Sequence, residues 1–211
     1  SLFRRPLSLH RGDGVGPVMR AHAEEKVLAA TCDAIAFVMR AHTSKDRIDQ
    51  LMRQMGAAVK SEGRVYFTGG VTAVLMGWRE TTIDVDLKAE PEPRGFFECL
   101  PRLKDELDIN IELAAPDQFV PELPGWQNRS CFIAQHGQLG FYHYDFYGQA
   151  LSKLERGHPR DHHDVQCMRR DGLVKGERLR ELFESVEDQL IRYPAINPIQ
   201  LRAAVMDFAP K

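Results

Sequence analysis

The chain has 211 residues, 43% of them hydrophobic and 27% charged, with a formal net charge of −2. That length suits one domain with a helical extension or two small ones, and the apolar fraction is enough for a real core. The charge excludes a generic nucleic-acid coat, which needs surplus Lys and Arg against phosphate, while leaving room for a local basic patch on RNA.

No stretch reaches the apolar length of a membrane span. The opening "SLFRRPLSLHRGDGVGP" has two arginines but no apolar core and no small-residue cleavage site, so it is not a secretory signal. Residues 1–22 read as a disordered or vector-derived arm. Cys32, Cys99, Cys131 and Cys167 are far apart and form no CxxC, which fits a reduced, cytoplasmic protein. Val27, Leu28, Ile35, Val38 and Met39 give Ala23–Arg40 helical periodicity. The pentapeptide VMRAH occurs at Val18 and Val38, and two copies of five residues make no structural repeat.

Ser44 is an N-cap candidate for a second helix, with a stripe at Ile48, Leu51, Met52, Met55 and Val59 and an end near Gly63. Val65–Thr68 reads as a short buried strand broken by Gly69 and Gly70, after which Val71–Met76 reads as helix. Ile83–Leu87 is a second strand, with Ile83, Val85 and Leu87 on one face and Asp84 and Asp86 on the other. A Pro-rich loop leads to a helix over Phe96–Leu107, with Pro101 inside it, and to a third alternating strand over Ile109–Leu113. Ala114–Ser130 reads as a long irregular loop. Cys131–Tyr147 reads as a hairpin turning near Gly137. Helices follow around Leu151–Arg156, Arg160–Arg170 and Gly176–Arg192, and a last one has Asn197 as cap and Pro198 at its first position. The fold class is α/β or α+β: a small mixed sheet flanked by helices over 23–147, with a C-terminal helical part over 148–211 packing on the site.

Asp84 and Asp86 point the same way, about 7 Å apart at their Cα atoms. Two carboxylates that close repel unless a cation sits between them. Mg²⁺ takes one or two carboxylates and then substrate phosphates, and a metal pair can clamp the attacking and leaving oxygens of a nucleotidyl transfer. A strand ending in Gly-Gly before a helix offers backbone N–H groups to phosphate. Each motif alone is a weak signal. In this order and at this spacing they reinforce one another.

The stretch from Thr68-Gly69-Gly70 to Asp84-Val85-Asp86 resembles the nucleotidyltransferase superfamily, whose pattern is an apolar residue, Gly, then Gly or Ser, and later Asp-apolar-Asp on a strand. The resemblance implies the matching fold, Mg²⁺ (or Mn²⁺) on Asp84 and Asp86, and an NTP as substrate. It places Gly69, Gly70, Thr72, Arg79 and Thr82 at the nucleotide. A third carboxylate normally follows on a later strand. Glu112 is the best match, because the preceding same-face position is Asn110. "LSKLERGHPRDHHDV" is similar to the Lys-Leu, then Arg-Asp-x-x-Asp signature of the abortive-infection, toxin-type branch, carried here by Lys153, Leu154, Arg160, Asp161 and Asp164. That branch implies Lys153, Arg160 and Asp161 at the nucleotide, Asp164 orienting a group or acting as base, an RNA or protein acceptor, and an antitoxin partner. The likeness covers about half the chain, from Val65 to Val165.

His158, His162 and His163 invite a zinc reading. Adjacent His162 and His163 cannot both face inward on one helix, and no Cys stands at ligand spacing, so a solvated helix start is the better reading. "FYHYDFY", Phe141–Tyr147, has the alternation of a base-stacking face but more often marks core packing. The expected function is a Mg-dependent nucleotidyltransferase moving an NMP group from an NTP to an acceptor hydroxyl. The alternatives are a non-catalytic nucleotide-binding or protein-interaction module of the same fold, distinguished by whether Glu112 completes the site, and an enzyme modifying a small molecule, as aminoglycoside nucleotidyltransferases do.

Overall fold

The computed structural model describes residues 42–208; the arm and helix expected before them lie outside the described residues. In chain order the elements are β1 (Thr43–Ser44), α1 (Lys45–Ala58), β2 (Gly63–Phe67), α2 (Gly69–Leu75), β3 (Thr81–Thr82), β4 (Asp84–Ala89), α3 (Phe96–Leu107) and β5 (Asn110–Glu112). Then come α4 (Trp126–Arg129), the hairpin β6 (Cys131–His136) and β7 (Leu139–His143), and helices α5 (Phe146–Arg156), α6 (Pro159–Arg170), α7 (Gly176–Glu184) and α8 (Pro198–Phe208). Among the described residues no helix is long and apolar enough to cross a membrane.

Five strands form one mixed sheet in the order β5-β4-β2-β7-β6, and β1 and β3 form a separate antiparallel pair. β2 runs antiparallel to β4 and parallel to β7, and β5 runs parallel to β4. Register assigns the faces. Val65 opposite Phe141, Phe67 opposite Leu87 and Val85 opposite Ile111 share one face, which also carries the buried His143 opposite Phe67. That face is buried against Ile48, Leu51 and Met55 of α1, Val71 and Val74 of α2, and Phe96 and Leu103 of α3. Fully burying each such side chain contributes about 1.5–3 kcal/mol, which is why the sheet cannot slip by one residue without exposing its core.

The other face alternates with it. Tyr66 lies opposite Lys88 and Tyr142, Asp84 opposite Asn110, and Asp86 opposite Glu112. Trp126 of α4 stacks on Tyr144 at 4.4 Å between ring centroids and meets Tyr66 edge-on at 4.8 Å, filling the aromatic end of this face. Phe141 and Tyr144 of "FYHYDFY" are therefore core residues. A second apolar core, with Phe146, Leu151, Val165, Met168, Phe183 and Val205, holds α5–α8 together.

Several elements differ from the sequence expectation. Ile83 does not share the buried face of Val85 and Leu87: the chain bends there, between β3 and β4, and leaves it 47% exposed. β2 ends before Gly69 and Gly70, as expected, but the helix starts at Gly69 and not at Val71. The supposed loop Ala114–Ser130 contains a 3₁₀ turn at Pro116–Gln118 as well as α4. α5 begins at Phe146 because Asp145 caps it, accepting from the Tyr147 N–H at 3.2 Å. The expected long helix Gly176–Arg192 is α7 followed by a 3₁₀ stretch, Glu187–Arg192. Ser44 stands at the N-cap of α1 but makes no side-chain cap bond.

Candidate active site

β4 and β5 build an acidic floor. Their register sets Asp84 beside Asn110 and Asp86 beside Glu112. The buried Asn110 amide donates to Asp84 Oδ1 at 2.8 Å and to Glu112 Oε1 at 2.9 Å, so one NH₂ group holds two carboxylates. Asp86 feels the crowding: burial, then the charges of Glu112 and Asp84, push its carboxyl up to about 6, and Arg156 and Lys153 pull back only in part. A carboxylate so disfavoured in its charged form is a site where a cation is stabilising.

The glycine pair is tied to that floor. Gly69 has a φ of 60°, in the left-handed region. A Cβ at Gly69 would overlap Asp86 Oδ2, and one at Gly70 would overlap Thr82 Oγ1. Both glycines are thus required by side chains of the site itself. The Gly69 N–H donates to Gln149 Oε1 at 3.1 Å, and Gln149 Nε2 donates to the Tyr144 carbonyl at 2.8 Å. The Thr82 hydroxyl donates to the Asp84 carbonyl at 3.1 Å. Thr72 turns inward: its hydroxyl donates to the Phe67 carbonyl at 3.2 Å and lies 3.3 Å from His143 Nδ1. Burial holds that histidine down at about 4.

Facing the floor is a cationic wall from α5 and α6. Gln149, Lys153 and Arg156 stand at i, i+4 and i+7, one stripe of α5. Lys153 Nζ donates to Asp164 Oδ2 at 2.6 Å and to Asp161 Oδ1 at 3.3 Å. Arg156 grips Asp161 with two bonds of 2.8 and 2.6 Å. Arg79 reaches across from the loop between α2 and β3 to hold Asp164 at 3.1 and 2.6 Å and the Arg160 carbonyl at 3.2 Å. Burial alone would raise the Asp161 carboxyl. The Arg156 hydrogen bond and the charges of Lys153 and Arg156 outweigh it and hold it below the ordinary range. Arg160 is exposed, and its guanidinium has no side-chain partner among the described residues.

Floor and wall enclose a half-open cleft of about 980 Å³. Of the residues expected at the metal, the nucleotide or the chemistry, all line it except Thr72 and Asp164, which lie behind it. The lining also includes Gln149, Arg156 and Phe119, which sequence reading passed over, and Asn110 braces its floor. The α5 stripe would have flagged Gln149 and Arg156. Asn110 is not acidic and so carries no metal signal in sequence, although it stands on the same face as Glu112. Among the described residues no three His, Cys, Asp or Glu side chains form a ready-made metal cage, and the histidines around Pro159 make none. The floor still fits a hard cation of the Mg²⁺ type, which needs only one or two carboxylates and completes its shell with water and phosphate oxygens.

A family model described as "Nucleotidyltransferase of unknown function (DUF6036)" matches residues 46–208. The chain belongs to that family. Membership in a nucleotidyltransferase family makes the chain, at that coarse level, a transferase with a nucleotide substrate, and the matched span includes both the floor and the wall of the cleft. No curated protein and no solved structure matches the chain significantly.

Proposed function

We propose that this nucleotidyltransferase moves an NMP group from an NTP to a hydroxyl of an acceptor, using Mg²⁺ (or Mn²⁺) on Asp84 and Asp86. The observation that carries the reading is the crowded floor, with Asp86 pushed up to about 6, facing the cations of α5 and α6 across one cleft. When bound, the metal would neutralise charge on the α-phosphate and align the attacking and leaving oxygens. Arg160 would meet the β- and γ-phosphates. Lys153, committed to Asp161 and Asp164, and Arg156, committed to Asp161, would act at longer range. Asp164 would be a positioning residue that holds Lys153 and Arg79. Glu112 would take the acceptor proton as the new oxygen–phosphorus bond forms and pyrophosphate leaves. Gly70 and Thr82 would shape the floor beneath the phosphates, and the Gly69 N–H, committed to Gln149, would not contact them. The likeness to the toxin-type branch supports an RNA or protein acceptor, a cytoplasmic setting and an antitoxin partner.

The test is transfer itself. The protein is incubated with Mg²⁺ and each α-labelled NTP, with total RNA or lysate protein as acceptor, beside the Asp84→Ala/Asp86→Ala double variant. Label on an acceptor with the intact pair alone supports the reading. NTP-dependent thermal stabilisation without label points instead to the binding module, and neither signal sinks both.

A further inference from the structure

We propose that the ring of Phe119, on the apolar wall formed with Ala114, Ala115 and Pro116, is the shelf on which the nucleobase of the bound NTP stacks. The inference rests on the nucleotide reading above and adds where the base goes.

The cleft has a direction. β5 runs parallel to β4, with Asp84 beside Asn110 and Asp86 beside Glu112. The chain leaving Glu112 therefore continues toward the Lys88 end of β4, and Asp117 confirms it by pairing with Lys88 Nζ at 2.6 Å. At the opposite end, before Asp84, lie Thr81, Thr82 and Arg79, and Arg79 bonds the Arg160 carbonyl. With Lys153 and Arg156 facing the floor, the order along the cleft is therefore Arg79 and Arg160, then the carboxylates, then the apolar wall. An NTP has the same order: β- and γ-phosphates, then the α-phosphate, then ribose and base. With the α-phosphate over Asp84 and Asp86 and the outer phosphates toward Arg160, the base falls on the Phe119 side.

The wall is made for such a load. Phe119 is 54% exposed although it lines a cleft, so its ring offers an unpacked face. The 3₁₀ turn beneath it is firm: the Phe119 and Val120 N–H groups both bond the Pro116 carbonyl at 2.9 Å, and Gln118 Nε2 donates to the Leu113 carbonyl at 3.1 Å. The turn packs against α5, the helix that carries the wall cations. Ala114, Ala115, Pro116 and Phe119 present no side-chain donor or acceptor. A base held there is gripped by its π-face and not read at its edge, so all four NTPs bind, the larger purines more tightly.

The experiment compares the full chain with Phe119→Ala and Phe119→Trp by calorimetry, with Mg²⁺ and each of ATP, GTP, CTP and UTP, and with Mg²⁺ and inorganic tripolyphosphate as a baseless probe. Losing one base–aromatic stack weakens binding by about 5- to 150-fold. Phe119→Ala should lose that factor for every NTP and nothing for tripolyphosphate, and Phe119→Trp should retain NTP affinity. Unchanged NTP affinity in Phe119→Ala overturns the shelf and assigns the wall to the acceptor. An equal loss for tripolyphosphate overturns it as a mere distortion of the cleft. A wild-type chain that binds tripolyphosphate and NTP equally also overturns it. One that binds neither overturns the nucleotide reading beneath it.

Discussion

Replacing Asp86 by Asn keeps the side chain's shape and removes one charge from the floor. The Asp86 carboxyl is raised from 3.8 to about 6 in the folded chain. At 1.36 kcal/mol for each tenfold change, its ionisation costs the fold about 3 kcal/mol. Between those two values the folded state holds a proton that the unfolded chain has lost. The stabilising contribution of the proton is complete below 3.8 and disappears as pH rises through 6. Asp86→Asn should therefore match the wild type near pH 4 and exceed it by about 3 kcal/mol at pH 8, equivalent to about 6–12 °C in Tm for a domain of this size. The assay is urea denaturation of chelator-treated protein across pH 4–8, followed by Trp fluorescence. Adding Mg²⁺ at pH 8 should raise the wild-type midpoint and leave the variant unmoved. A variant no more stable than wild type at pH 8, or offset by the same amount at every pH, would refute a floor under electrostatic load.

His143 works against Asp86 over nearly the same range. Its folded value of about 4 lies below the ordinary 6.5, so the unfolded chain binds the extra proton and stability rises with pH through that window. His143→Gln should expose the Asp86 slope, a loss of about 2 kcal/mol between pH 4 and 6 in the same denaturation series, where wild type stays nearly flat. Gly69→Ala should cost about 2 kcal/mol or more in thermal unfolding, from the left-handed backbone and the overlap with Asp86, and should weaken Mg²⁺-induced stabilisation in step. Lys153→Met leaves Asp161 and Asp164 buried with one cation fewer and should cost about 3–5 kcal/mol, and a double-mutant cycle with Asp164→Asn should return a large coupling energy.

The elements with strict periodicity were legible. The stripe of α1, the alternation in β4 and the proline start of α8 appear in the structure close to where their patterns place them. The misses have local causes. Ile83 continues the alternation of β4 on paper, but a bend sets it outside the strand, and one more apolar residue in register looks like core. The turn that carries Phe119 is hidden among prolines, which signal irregularity without its shape. Asp84 and Asp86 could be found because their chemistry is wrong for a buried strand. Asn110 could not, because an amide announces nothing until its partners are known, and its own lie two and twenty-six residues away.

The cleft is a seam between two cores. Its floor belongs to the core under α1, α2 and α3, and its wall to the core of α5–α8. Few bonds cross it at the site: Gly69 to Gln149, Arg79 to Asp164 and Arg160, and Trp78 to Asp171 at 2.8 Å. A seam of that kind can part while both cores stay folded, so amide exchange in the empty chain should resolve into two cooperative blocks with different opening free energies. A ligand touching floor and wall together acts as a rivet between them. On binding, the two blocks should fuse into one, and amides of β5 and of the first turn of α6, on opposite banks, should slow by the same factor.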